Sequence, residues 1–223
     1  MFKTVRRSFV AATLAVMTMA GFAMAPASAA TFDFTGDLLA SIAPDSDSKV
    51  YTVDGITLTV TAGTFPNANP SDINFGTRQV DQDFFSGLGA DAFGDGDNVD
   101  GSFGNDVLVF SFSRAVKFLS IDFGNVDGND DFAFGSVSGT LFSRIVNFED
   151  VSNAVLVSTF ATMDQATGSS FGIGAIGTFD NFTIQGIEVA AVPIPAALPL
   201  FLSGLFGLQW FARRRRKLAA QAA

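Results

Sequence analysis

Val50-Tyr51-Thr52-Val53-Asp54-Gly55-Ile56-Thr57-Leu58-Thr59-Val60-Thr61 decides the fold. Two β-branched, alternating runs flank Asp-Gly, the dipeptide that accepts the left-handed backbone of a two-residue hairpin turn. The spacing predicts antiparallel strands over 50–53 and 56–61. Similar runs bounded by Gly, Asp and Asn recur outward in both directions, at Thr31 to Thr35, Val107 to Ser113, Val116 to Phe123, Phe132 to Val137, Thr140 to Val146, Val155 to Phe160 and Phe179 to Val189. About eight to ten short strands at this spacing predict an all-β fold, an antiparallel β-sandwich or jelly roll. Nothing helical is read before Leu198. Gly63 to Asn105, crowded with Gly, Asp, Asn and Pro, reads as a looser insertion.

Phenylalanine supplies the core. Twenty of the 26 Phe lie between Ala30 and Val192, against one Tyr and no Trp there. Phe brings large apolar area without a polar edge to satisfy. The chain has no Cys and no His, so the fold is held without disulfides. The commonest zinc, copper and haem ligands are absent, and histidine acid/base and Ser-His-Asp or Cys-His chemistry are excluded. The body carries five basic against twenty-two acidic residues, a net of −17 hidden by the whole-chain value of −9. Such acidity opposes phosphate binding, so nucleic acid is not expected as a partner.

The acids gather in two loops. Asp91, Asp95, Asp97, Asn98, Asp100, Asn105 and Asp106 form the first, and Asp122, Asn125, Asp127, Asn129, Asp130 and Asp131 the second. Dense oxygen donors between glycines suit Ca²⁺, which takes 6 to 8 oxygens. The candidate ligands are Asp95, Asp97, Asp100, Asp106, Asp122, Asp127, Asp130 and Asp131. The spacing is not that of an EF-hand, and turns use the same residues for their own hydrogen bonds. Gly172-Ile173-Gly174-Ala175-Ile176-Gly177 matches the dinucleotide fingerprint, but a strand follows it and no parallel α/β unit surrounds it, so it reads as a glycine-rich turn or bulge. No catalytic residue is assigned. Glu149 and Glu188 are the only glutamates, and the body has no Trp platform for a sugar chain, so the expectation is a non-enzymatic protein. A paired-carboxylate hydrolase is the competing enzyme class.

Both ends carry export signals. Lys3, Arg6 and Arg7 precede an apolar run from Phe9 to Ala25, and Ala27-Ser28-Ala29 is a small-x-small signal peptidase site, so residues 1–29 read as a signal peptide with the mature chain starting near Ala30. Arg6-Arg7 also resembles a weakened twin-arginine signal, with a Sec signal the commoner reading. At the other end, Ile194 to Ala212 is nineteen residues without a formal charge, followed by Arg213, Arg214, Arg215, Arg216 and Lys217. That is close to the roughly 20 residues that span a bilayer as a helix, and the basic cluster holds the stop-transfer end in the cytoplasm. The body, residues 30–191, is then outside the inner membrane of the precursor, with 218–223 as a cytoplasmic tail.

Val192-Pro193-Ile194-Pro195-Ala196-Ala197-Leu198-Pro199, the apolar run and the terminal arginines resemble, in that order, the VPLPA-type PEP-CTERM sorting signals of Gram-negative bacteria, covering residues 192–217. Ile194 stands where the motif usually has leucine. The resemblance implies recognition by an exosortase-like membrane protease, and release or transfer of the body to the cell surface or extracellular matrix, associated with exopolysaccharide. Segments 110–124 and 179–184 are similar to sandwich modules found ahead of such signals. An uncut single-span anchor, a secreted carbohydrate-binding module or hydrolase, and a calcium-assembled surface array are the competing readings.

Overall fold

The computed structural model describes residues 29–41, 44–92, 96–150, 154–156, 162 and 164–193. The expected signal peptide, except Ala29, and the expected apolar span with its basic cluster lie outside these residues. Among the described residues no helix is long and apolar enough to cross a membrane.

The Asp-Gly hairpin forms as its sequence requires. Strands β1 (Ala29–Asp33), β2 (Ser48–Val53) and β3 (Ile56–Phe65) come first, and Val53 pairs with Ile56 across the β2–β3 turn. Asp54 and Gly55 there have φ of 49° and 70°, the doubly left-handed backbone of a hairpin turn. A single helical turn, α1 (Leu38–Ser41), lies between β1 and β2. The segment read as a loose insertion instead carries β4 (Ser71–Asp72), β5 (Asn74–Phe75), β6 (Gln79–Asp83), β7 (Gly87–Asp91) and β8 (Val99–Asp100), with β6 and β7 paired over five residues each. Their apolar faces are Val80, Leu88 and Ala90, alternating with Gly and Asp, so the period-two signal is small. All three side chains are nevertheless buried.

The remaining strands are β9 (Asn105–Gly124), β10 (Asp131–Ser138), β11 (Leu141–Asp150), β12 (Ala154–Leu156), β13 (Thr167–Ala175) and β14 (Asn181–Ala191). Every pairing between them is antiparallel, and all fourteen strands join in one curled sheet. The all-β, antiparallel expectation is met. β9 is the axis of the curl. Its first half pairs β3, its second half pairs β14, and β13 follows it on the other side. Between Ser111 opposite Ser170 and Val116 opposite Gly168, β13 advances two residues while β9 advances five. The sequence reading of two strands here becomes one strand with a bulge at Phe112–Ala115, which bends it.

The bend closes the sheet over a phenylalanine core. Leu108, Phe110 and Phe112 from the first half of β9, Val116, Phe118, Ile121 and Phe123 from the second, and Phe32, Phe132, Phe134, Phe171 and Phe182 from its neighbours are all buried together. Phe118 sits at the centre, with ring centroids of Phe134 and Phe171 both 5.3 Å away, edge-on. Burying each such ring contributes about 1.5–3 kcal/mol. A second apolar cluster covers the opposite face of the β3–β9–β13–β10 region, where Phe65 and Phe142 meet edge-on at 5.2 Å. This explains the glycines of β13. The Gly172–Gly177 segment read as a turn is instead, through Ala175, strand; a Cβ at Gly172 would lie 2.7 Å from the Phe142 ring, and one at Gly174 2.7 Å from the Phe65 ring. These glycines let two rings lie on the backbone.

Candidate functional site

β14 divides the functional landmarks between two ends of the body. At its start, Asn181 pairs with Asp100, Gly101 N–H donates to the Asp180 carbonyl at 3.2 Å, and Asn125 Nδ2 donates to Asn98 Oδ1 at 3.2 Å. The two acidic loops therefore meet there. This brings Asp97–Asp106 and Asn125–Asp131 to one end of the body. Asp122 is set back along β9, opposite Gly186, and Asp95 lies outside the described residues.

Most of the carboxylates at this end have work to do within the chain. Asp106 is fully buried and pairs with Arg78, 7% exposed, whose Nε lies 2.7 Å from Asp106 Oδ1. The same arginine donates to the Thr77 carbonyl at 3.1 Å and the Phe103 carbonyl at 3.4 Å, so one buried cation ties three segments. Asp106 Oδ2 also accepts from Asp100 N–H at 3.4 Å, and Asp100 Oδ1 accepts from Ser102 N–H at 2.7 Å. Asp130 is buried and accepts from the Asn181 N–H at 2.8 Å and from the Asp127 N–H, while Asp127 Oδ1 accepts from Asn129 N–H at 3.0 Å. Asp180, not singled out from sequence, takes the N–H groups of Ile176 and Gly177. These are the local side-chain-to-backbone bonds that Asp makes in turns. Among the candidates, Asp97 and Asp127 are exposed, and Asp131 opens β10 opposite Asp150. Among the described residues no group of three or more His, Cys, Asp or Glu is arranged to hold a metal.

Arg78 escaped the sequence reading. The signal was available: it is the single basic residue between Lys49 and Arg114, inside the acidic, glycine-rich stretch. A buried charge there needs a partner. Two exposed rings, Phe103 at 76% and Phe179 at 80%, stand on the neighbouring turns, with Ser102 Oγ donating to the Thr178 carbonyl at 3.5 Å.

A second electrostatic feature lies on β6. Asp81 hydrogen-bonds Asp45, and partial burial, that bond and the Asp45 charge raise its carboxyl to about 7. Asp81 therefore keeps a proton closer to neutrality than an ordinary aspartate does. An open depression of about 550 Å³ lies elsewhere, lined by Ser143, Arg144, Asp164 and Gln165 among others. Arg144 is committed there: its Nη2 donates to the Asn67 and Ala68 carbonyls at 2.7 and 2.8 Å, and its guanidinium lies 5.4 Å over the Phe65 ring.

At the opposite end of β14 the start of β1 and the chain leading to Val192 and Pro193 come together. Ala29 pairs with Ala190 and Ala30 with Val189. Ala191 pairs with Val116, and Val192 N–H donates to the Ala115 carbonyl at 3.1 Å, after which Pro193 leaves the ladder. Arg114, exposed, and Lys117, half-buried, stand on the β9 bend beside this exit. Of the segment expected to be the sorting motif, Val192 and Pro193 are thus described; Ile194, Pro195, Ala196, Ala197, Leu198, Pro199, the expected stop-transfer cluster Arg213–Lys217 and Ala27 of the expected cleavage site lie outside. The acidic end is roughly 33 Å away, from the rises between the eleven residues of β14 at about 3.3 Å per step.

No protein-family model matches this sequence, and no curated protein matches it.

Proposed function

We propose that this chain is an exported, non-enzymatic surface or matrix protein, tethered as a precursor by its C-terminal span and then handled by an exosortase-like protease. The observation that carries this is the arrangement of β1 and β14. The exit from the signal peptide and the entry to the sorting motif lie side by side at one end, next to Arg114 and Lys117, while the acidic loops and the exposed Phe103 and Phe179 occupy the other. A body hung by that end places Arg114 and Lys117 nearest the tether and the acidic loops farthest from it. The curled sheet is read as a sandwich whose far end meets exopolysaccharide or neighbouring copies. Calcium is proposed as the counter-ion of that end, with Asp97 and Asp127 as its exposed carboxylates.

The test is to follow a body tag and a tail tag on the full chain in cells with and without the candidate protease. Body released or moved to the surface without its tail supports the proposal. Tail and body staying together in both strains means an uncut anchor. Release of sugar from matrix by the purified body would favour the hydrolase reading instead.

A further inference from the structure

The bond that signal peptidase is expected to cut, Ala29–Ala30, is part of a folded strand. Ala29 is paired to Ala190 and Ala30 to Val189, and the ladder continues through Asp33 opposite Gly186. Ala30 is 1% exposed, and Phe32 and Phe34 behind it are buried in the main core. Phe34 N–H donates to the Gln185 carbonyl at 2.9 Å, and Gln82 Nε2 to the Phe34 carbonyl at 2.8 Å, which fastens the strand just beyond its end. A peptidase must draw several residues around a scissile bond into an extended strand in its own cleft. From Ala29 onward those backbone groups and faces are already taken by β14.

We propose that folding of β1 onto β14 closes the signal-peptide cleavage site, so that removal of the leader must precede completion of the sheet. The inference rests on the reading of residues 1–29 as a signal peptide. In the step itself water adds across the Ala29–Ala30 amide, leaving a carboxylate on Ala29 and an ammonium on Ala30. The freed Ala30–Asp33 segment then retains four of its five ladder positions and its buried Ala30 and Phe32 side chains. The order has a consequence for export. A route that delivers the chain unfolded presents the bond open, whereas a route that carries folded chains delivers it shut, so the geometry selects unfolded export over the twin-arginine alternative. β14 is the last strand among the described residues and ends at Ala191, so the cut has the synthesis and translocation of the body up to there in which to occur.

The experiment uses the full precursor in detergent micelles and purified signal peptidase, with a synthetic peptide spanning residues 20–40 as the open substrate. Cleavage of a closed site tracks the fraction of molecules transiently open. The refolded chain is expected to be cut at least about thirtyfold more slowly than the same chain assayed immediately on dilution from urea. Val189→Asp, which spoils the ladder from the β14 side without altering the leader, is expected to restore the fast rate. If the peptide and the freshly diluted chain are cut but the refolded chain is cut equally fast, the inference falls and the signal-peptide reading stands. If even the peptide is not cut between Ala29 and Ala30, the reading beneath it falls, and the inference with it.

Discussion

Arg78→Met breaks the buried ion pair from one side and leaves Asp106, fully buried, without its cation. Removing one partner of such a pair costs about 3–5 kcal/mol, because the desolvated charge stays behind. The lost donors to the Thr77 and Phe103 carbonyls account for about 1 kcal/mol of a total near 4. With a urea slope of about 2 kcal/mol per molar for a domain of this size, the unfolding midpoint should fall by about 2 M. Arg78→Met with Asp106→Asn removes the stranded charge and keeps an acceptor for the Asp100 N–H. The double variant should therefore lose only about 1–2 kcal/mol, a midpoint fall of about 1 M or less, because neutralising a buried pair costs far less than halving it. Urea unfolding followed by far-ultraviolet circular dichroism reads both numbers. A single variant within about 0.5 M of the parent, or a double variant worse than the single, would refute the assignment of Arg78 as the internal counter-charge of this end.

Acidification should stabilise the body between about pH 7 and about 4. Asp81 has its folded pKa raised to about 7 from 3.8, so the folded state binds more protons in that window and stability declines as pH rises through it. Asp81 is partly solvated, which limits the effect to about 1 kcal/mol or less; Asp81→Asn should flatten the change in melting temperature between pH 5 and 8, and an unchanged slope would contradict the raised Asp81 pKa. Gly174→Val places side-chain atoms into the Asp106 carbonyl and the Phe65 ring, and should cost about 3 kcal/mol, a melting temperature roughly 8 °C lower. If calcium binds the acidic end with a Kd near 10⁻³ M, then 10 mM adds about 1.4 kcal/mol, roughly 4 °C; a melting temperature unmoved by calcium but not by Gly174→Val would remove the cation from the account.

The parts of the fold that were legible in advance are those whose signals are local. Asp54-Gly55 carries its turn in its own backbone preference, and the alternation of Leu108, Phe110 and Phe112 names the core face of β9 without help. β13 was illegible for the opposite reason. Phe171-Gly172-Ile173-Gly174-Ala175 alternates correctly, but its outer positions are glycine only because Phe65 and Phe142, distant in sequence, lie across them. Arg114-Ala115 read as a break between strands because a bulge and a turn use similar residues, and β6–β7 was hidden because the inward positions of β6 include Gln82 and those of β7 sit among glycines. In the acidic loops residue type alone does not divide the roles. Asp in a turn serves a cation and its own backbone with the same oxygens, and only the coordinates assign Asp130 and Asp180 to the backbone and Asp106 to Arg78.

The account turns on both ends of this chain being addresses for export and not parts of the working body. Intact mass and N-terminal sequencing of the protein recovered from outside the inner membrane test it most directly. The predicted result is a chain beginning at Ala30 and lacking the cationic segment Arg213–Lys217. A protein found soluble in the cytoplasm, with Met1 and Ala223 both retained, would contradict it.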